Sequence, residues 1–157
     1  MWRYLLIALG IVGIDQATKY EAVRHLASGP VRVTGFLNLA LVYNRGAAFG
    51  MLARQDGWQT GIFIAIAVII ATAILVYLFR AGRREPLMAV ALMLVLGGAI
   101  GNLIDRLRMG RVVDFIDFHI GHWHWYTFNV ADSAITIGAL LLALDAFRPR
   151  GRHGDKT

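Results

Sequence analysis

From residue 61 to residue 79 the chain carries no charged side chain. Spanning the hydrocarbon core of a bilayer takes about 20 residues of helix, so a run of this length and purity is read as a membrane span. That commitment constrains everything else. In lipid each backbone polar group must be satisfied within the protein, which leaves helices or a closed barrel as the spanning structures. Helical spans are the choice here, because the apolar residues run continuously rather than alternating.

Three further segments fit the same reading. Residues 86–104 begin with Pro86, which suits a first helical turn, and Asn102 is their only strongly polar side chain. Residues 126–147 are apolar apart from Asn129, Asp132 and Asp145. Residues 2–20 are the least apolar of the set because they contain Asp15 and Lys19. Arg3 followed by an apolar stretch resembles a secretory leader, but no small-x-small cleavage site follows it, so the segment is read as a retained span. The expected fold is an α-helical integral membrane protein with four transmembrane helices in a single domain over residues 1–157, at 57% hydrophobic content. Residues 21–60 and 105–125 form the outward loops.

Charge sets the orientation. Arg80, Arg83 and Arg84 crowd the link between the second and third spans, and Arg148, Arg150, Arg152 and Lys156 crowd the tail. Basic residues at the ends of spans mark the cytoplasmic side, which puts both termini in the cytoplasm. The net charge of +6 is thereby explained without nucleic acid. With no cysteine in the chain, disulfides, thiolate nucleophiles and thiolate metal sites are all excluded. Within the first outward loop, Val31-Arg32-Val33 and Phe36 to Tyr43 are β-rich and separated by Thr34-Gly35. They predict a small sheet or cradle on the membrane surface, suited to pairing with an extended peptide or to covering the bundle.

Polar residues within apolar helices need partners. Asp15 and Lys19 are four apart and predict a buried pair joining helices. Gly97-Gly98-Ala99-Ile100-Gly101 predicts close approach of a neighbouring helix. Asn102, Asp105 and Arg106 gather an amide, an acid and a guanidinium at the outer end of the third span, either as a structural clasp or as a site for a carbonyl or lipid ester. Asn129, Asp132, Ser133 and Thr136 share one broad face of the fourth. Asp145 is read as interfacial.

The chemistry rests on carboxylates. Asp132 opens an apolar run, and Asp114 and Asp117 lie in the outward loop just before it. Two close carboxylates at a low-dielectric boundary share a proton, a means of activating water without a nucleophilic side chain. Spacing alone does not choose between Asp114 and Asp117 as the partner of Asp132. His119, His122 and His124 match no strong metal-ligand spacing, and with Trp123, Trp125 and Tyr126 they read as an aromatic belt. No serine-hydrolase elbow, zincin, Walker or dinucleotide motif is present. A proton-coupled transporter and a structural membrane subunit are the alternatives. Polar residues gathered near one membrane surface favour the protease over a translocation path.

Five blocks then carry a resemblance. They are Asp15-Gln16-Ala17-Thr18-Lys19; Asn44-Arg45-Gly46-Ala47-Ala48-Phe49-Gly50; residues 97–106, ending Asn102-Leu103-Ile104-Asp105-Arg106; Val112-Val113-Asp114-Phe115; and Phe128-Asn129-Val130-Ala131-Asp132-Ser133-Ala134. In this order they resemble bacterial lipoprotein signal peptidase (signal peptidase II) over essentially the whole chain. The resemblance implies an aspartyl endopeptidase of the bacterial inner membrane, needing no metal and no cofactor. Such an enzyme removes the signal peptide from diacylglyceryl-modified prolipoproteins on the N-terminal side of the lipidated cysteine. It implies Asp114 and Asp132 as the catalytic pair, with Asp15, Lys19, Asn44, Gly46, Asn102, Arg106 and Asn129 shaping the site. The expected partners are lipid-modified prolipoproteins and membrane lipids, and the expected state is a monomer.

Overall fold

A computed structural model describes residues 2–45, 58–81 and 86–147. Gly46, residues 82–85 of the arginine-rich link and the basic tail from residue 148 lie outside the described residues. Four helices dominate: α1 (Trp2–His25), α2 (Trp58–Ala81), α3 (Pro86–Met109) and α4 (Val130–Ala146). Four strands, β1 (Val31–Arg32), β2 (Leu37–Asn44), β3 (Val112–Ile120) and β4 (Trp123–His124), form an antiparallel sheet in the order β1-β2-β3-β4.

Helix α3 is the central element, packed against α1, α2 and α4. Its glycines allow this. A Cβ at Gly97 would lie 2.9 Å from the Ala8 carbonyl oxygen of α1, and one at Gly98 would run into the Ala131 carbonyl oxygen of α4. The small-residue stretch thus brings two backbones against α3, as expected of such a sequence.

Helix α2 behaves differently. Ile62, Ile66, Val68, Ile69, Ile70, Leu75 and Val76 are all exposed, and Ile74 is its buried contact with the core. A helix that is apolar all round and mostly uncovered is stable only in apolar surroundings. Residues 60–78 of α2 and 86–109 of α3 are, among the described residues, the two segments long and apolar enough to cross a membrane by composition. Helix α4 is 17 residues long.

On α1 the buried positions Ala8, Asp15, Lys19 and Ala22 share one face, at offsets of seven, four and three, and Leu26 continues it just beyond the helix. This face meets two apolar clusters. Ala8 packs with Ile74, Met93 and Leu96, whereas Ala22 and Leu26 pack with Phe115 beneath the sheet. Between the clusters lie Asp15 and Lys19.

Several boundaries depart from the sequence reading. Helix α1 continues to His25 and α3 to Met109, where Gly110 (φ 67°) ends it with its N–H on the Arg106 carbonyl at 2.9 Å. Residues 126–128 are not helical. Phe128 is bound into the sheet instead, its carbonyl accepting from Phe115 N at 3.0 Å and Ile116 N at 2.8 Å. The segment after α3, whose conformation the sequence left open, is strand β3, paired along β2 with a bulge between Leu39 and Val42. Asp145 is buried within the protein.

Candidate active site

The bridge between Phe128 and Ile116 sets the geometry of the site. It draws the start of α4 onto β3, so that Asn129 arrives beside Asp114. Asn129 caps α4 with extended backbone (φ −134°, ψ −175°). Its Oδ1 accepts the Asp132 N–H at 2.9 Å, and Asp132 Oδ2 accepts the Asn129 N–H at 3.3 Å. This reciprocal capping box explains an acid at the head of an apolar helix, since a carboxylate there faces the positive end of the helix dipole.

Asn129 also reaches away from the helix. Its Nδ2 donates to Asp114 Oδ1 at 2.6 Å, with Asn102 Oδ1 at 3.2 Å and the Val113 carbonyl at 3.3 Å. Asn102 Nδ2 donates in turn to Asp132 Oδ1 at 2.8 Å. The two aspartates are therefore linked through a pair of asparagine amides, Asp114–Asn129–Asn102–Asp132. Asn44, at the end of β2, donates to Asp114 Oδ2 at 3.0 Å.

Behind this bridge lies a buried cation. Lys19 Nζ sits 2.9 Å from Asp15 Oδ2, 2.9 Å from Asp105 Oδ2 and 2.9 Å from Asn102 Oδ1, so all three of its hydrogens have acceptors. Asp15 Oδ1 accepts the Ala131 N–H at 2.9 Å, tying α1 to the first turn of α4. Gln16 Nε2 lies 3.0 Å from Asp105 Oδ1 and 3.2 Å from both Asp15 Oδ2 and the Gly101 carbonyl.

Burial pushes the Asp114 carboxyl up to about 6, the neighbouring Asp132 carboxylate adds to the rise, and the Asn44 and Asn129 amides and Lys19 oppose it. Its side chain is essentially inaccessible, at 1% exposure, whereas Asp132 is half-buried. Asp117 points the other way. Its burial acts to raise the carboxyl, but the contacts with His124 and Asn38 outweigh this and hold it below the usual range. His124 Nδ1 is 2.8 Å from Asp117 Oδ1, and Asn38 Nδ2 is 3.1 Å from Asp117 Oδ2. Two acids three apart on a strand face opposite sides, which separates Asp117 from the Asp132 group.

Seven of the nine site residues expected from sequence converge directly: Asp15, Lys19, Asn44, Asn102, Asp114, Asn129 and Asp132. Arg106 stands at the margin. It stacks 5.0 Å from the Phe63 ring of α2, and its Nη1 is 3.4 Å from the Asn102 carbonyl. Asp105, its neighbour, turns inward to Lys19, so the expected cluster at the end of α3 is divided between two faces. Gly46 lies outside the described residues. Asp105 and Gln16 were not among the expected site residues. The three-residue offset of Asp105 from Asn102 on a helix was the available signal. Ser133 and Thr136 are satisfied locally, by the Asn129 and Asp132 carbonyls at 3.0 and 2.8 Å. Among the described residues no group of three or more His, Asp or Glu is arranged to hold a metal ion. His119 instead stacks on His124, with ring centres 5.0 Å apart, beside exposed Trp123 and Trp125.

Comparison with known proteins gives the same direction. The family profile described as Signal peptidase (SPase) II matches residues 7–148. A lipoprotein signal peptidase of Hydrogenovibrio crunogenus is 50% identical over 152 residues, covering 96% of this chain and 88% of that protein. One of Burkholderia thailandensis is 49% identical over 146 residues, covering 92% and 87%. A bacterial membrane enzyme solved by the in meso method at 2.3 Å superposes with a TM-score of 0.84 at 33% identity, covering all of this chain and 94% of that one. The profile, the relatives and the shared fold agree, and the chain belongs to the signal peptidase II family.

Proposed function

We propose that this chain is an intramembrane aspartyl endopeptidase that removes the signal peptide from diacylglyceryl-modified prolipoproteins, cutting on the N-terminal side of the lipidated cysteine. The observation that carries the reading is the convergence of Asp114 and Asp132, from different elements, on one Asn129–Asn102 bridge. The relatives named above are lipoprotein signal peptidases, which supplies the substrate class.

In this mechanism the pair shares one proton. Asp114, the more buried, carries it, and exclusion of water by bound substrate strengthens its hold. Asp132 is the ionised base. It takes a proton from a water molecule as the oxygen attacks the scissile carbonyl carbon, while Asp114 hydrogen-bonds the carbonyl oxygen. When the C–N bond breaks, a proton from the pair passes to the cysteine nitrogen, leaving a free carboxyl on the signal peptide and an amine on the lipoprotein. Asn129, Asn102 and Asn44 hold the carboxylates, Lys19 and Asp15 hold the bridge and the start of α4, and Arg106 borders the substrate path.

Four spans, near residues 2–20, 61–79 and 86–104 and along α4, set the enzyme in the bacterial inner membrane as a monomer, with both termini cytoplasmic. The sheet and the dyad face outward. Because the chain has no native cysteine, single introduced cysteines report this topology directly by labelling from either side.

The deciding experiment is cleavage of one prolipoprotein with and without its diacylglyceryl group, by the wild type and by Asp114→Asn, Asp132→Asn and Ser133→Ala. The lipidated precursor should be strongly preferred, both Asn variants inactive though inserted, and Ser133→Ala active. Equal rates on both precursors contradict the substrate class, and near-normal cleavage by either Asn variant removes the dyad.

A further inference from the structure

Asp105 touches neither of the paired aspartates, yet all its buried contacts lead to them. Its Oδ2 accepts the Val113 N–H at 3.1 Å, one residue before Asp114, and the same oxygen lies 2.9 Å from Lys19 Nζ. Its Oδ1 accepts from Gln16 Nε2 at 3.0 Å. The side chain is 3% exposed, so these contacts are made away from water. One carboxylate thus ties the first residues of β3 to α1 while resting on α3.

The charge count gives this arrangement a second consequence. Lys19 is held by two acids, Asp15 and Asp105, at 2.9 Å each. The trio carries one net negative charge beside the dyad. The titratable and charged groups facing the dyad from the surrounding elements are Asp15 and Lys19 of α1, Asp105 and Arg106 of α3, Asp114 of β3 and Asp132 of α4. Lys19 favours the ionised form of Asp114, and Arg106 is attracted by Asp132, Asp114 and Asp105. Without Asp105 the trio would fall from one net negative charge to zero, and the loss of that charge beside the pair would loosen its hold on the shared proton.

We propose that Asp105 is a positioning residue for the reaction: it fixes Asp114 through the Val113 amide and, by giving the Asp15–Lys19–Asp105 trio its net negative charge, keeps one proton on the dyad. This rests on the dyad reading above.

The test is the pH profile of kcat/KM for cleavage of a diacylglyceryl-modified precursor in detergent. Asp105→Asn keeps an oxygen for the Val113 N–H but removes the charge. Its whole profile should move to lower pH by about one unit, the size expected when a negative charge near the pair is removed. Lys19→Met combined with Asp105→Asn restores the net charge of the trio, so that profile should return to the wild-type position even if the maximal rate stays low. Asp105→Glu keeps the charge and should leave the profile in place while kcat falls. A merely structural role predicts lower activity with an unmoved profile in Asp105→Asn, and that result overturns the proposal. If Asp105→Asn does not fold, the double variant decides: a displaced profile overturns the charge argument, and a wild-type position supports it. Activity retained in Asp114→Asn or Asp132→Asn would instead defeat the dyad itself, so the two failures are distinguishable.

Discussion

Asn129 and Asp132 close each other's hydrogen bonds at the start of α4, Asn129 Oδ1 accepting the Asp132 N–H at 2.9 Å and Asp132 Oδ2 accepting the Asn129 N–H at 3.3 Å. The capping box makes Asp132 part of the helix terminus, and the same asparagine carries the amide that reaches Asp114 at 2.6 Å. Secondary structure and the proposed chemistry therefore depend on one side chain. A substitution there has two separable effects.

Asn129→Ala removes the cap, which costs about 1 kcal/mol, and strips a donor from Asp114. The variant should melt lower in detergent, and kcat should fall by about tenfold or more, equivalent to ~1.4 kcal/mol in the barrier. Asn129→Ser caps a helix nearly as well but has no amide to give. It should recover much of the melting temperature and little of the rate. Recovery of both would mean that the cap alone matters.

Asp114 predicts a pH dependence of stability. Burial, with Asp132 beside it, raises the carboxyl from 3.8 to about 6 in the folded protein. Its contribution is therefore fully present below its unfolded value and is lost as pH rises through about 6, by up to about 3 kcal/mol. Asp114→Asn has no such proton to lose. Between pH 4 and pH 7 the wild type should lose more melting temperature than Asp114→Asn, measured in one detergent at constant ionic strength. Parallel curves would contradict the burial of an ionising group at this position.

The helices were legible because their signal is local: uncharged runs in the second and third helices, and Asp15 with Lys19 one turn apart on the first. The start of α4 was not. Residues 126–128 are uncharged and run straight into the helix they precede, and only the pairing of Phe128 with Ile116, not adjacent in sequence, sets them apart from it. Strand β3 was obscured for a similar reason, since it is buried on both faces over Val112 to Phe115 and lacks clean alternation. The site was legible as residues but not as a network. Asp105 reads from sequence as one member of a cluster with Asn102 and Arg106, whereas the fold turns it toward Lys19 on another helix.

Asp117 provides the control for choosing Asp114. It lies on the other face of β3, held by Asn38 and His124. Asp117→Asn should cleave a lipidated precursor within about threefold of the wild type, a change worth well under 1 kcal/mol in the barrier. Its effect belongs to stability. The Asp117 carboxyl is held below its ordinary value, so it stabilises the fold above that value and ceases to do so in acid. An Asp117→Asn variant as inactive as Asp114→Asn would reopen the assignment of the pair.

The glycines of α3 separate packing from propensity. A Cβ at Gly98 would collide with the Ala131 carbonyl and lie 2.7 Å from Ile135 Cγ1, and one at Gly101 would lie 2.6 Å from Asp15 Oδ2. Neither obstacle yields easily, because Ala131 and Asp15 are themselves joined by the 2.9 Å hydrogen bond that anchors α4 to α1. Gly98→Ala should therefore push α4 from α3, displace Asp132 from Asn102, and destabilise by about 1–3 kcal/mol, with loss of cleavage. Gly13 on α1 meets nothing within 4 Å. There, Gly13→Ala should gain up to about 1 kcal/mol from helix propensity and leave cleavage intact. Melting temperature and precursor cleavage measured for both variants distinguish the two effects. If Gly98→Ala behaved like Gly13→Ala, close packing of α4 on α3 would not be what holds Asp132 against Asn102.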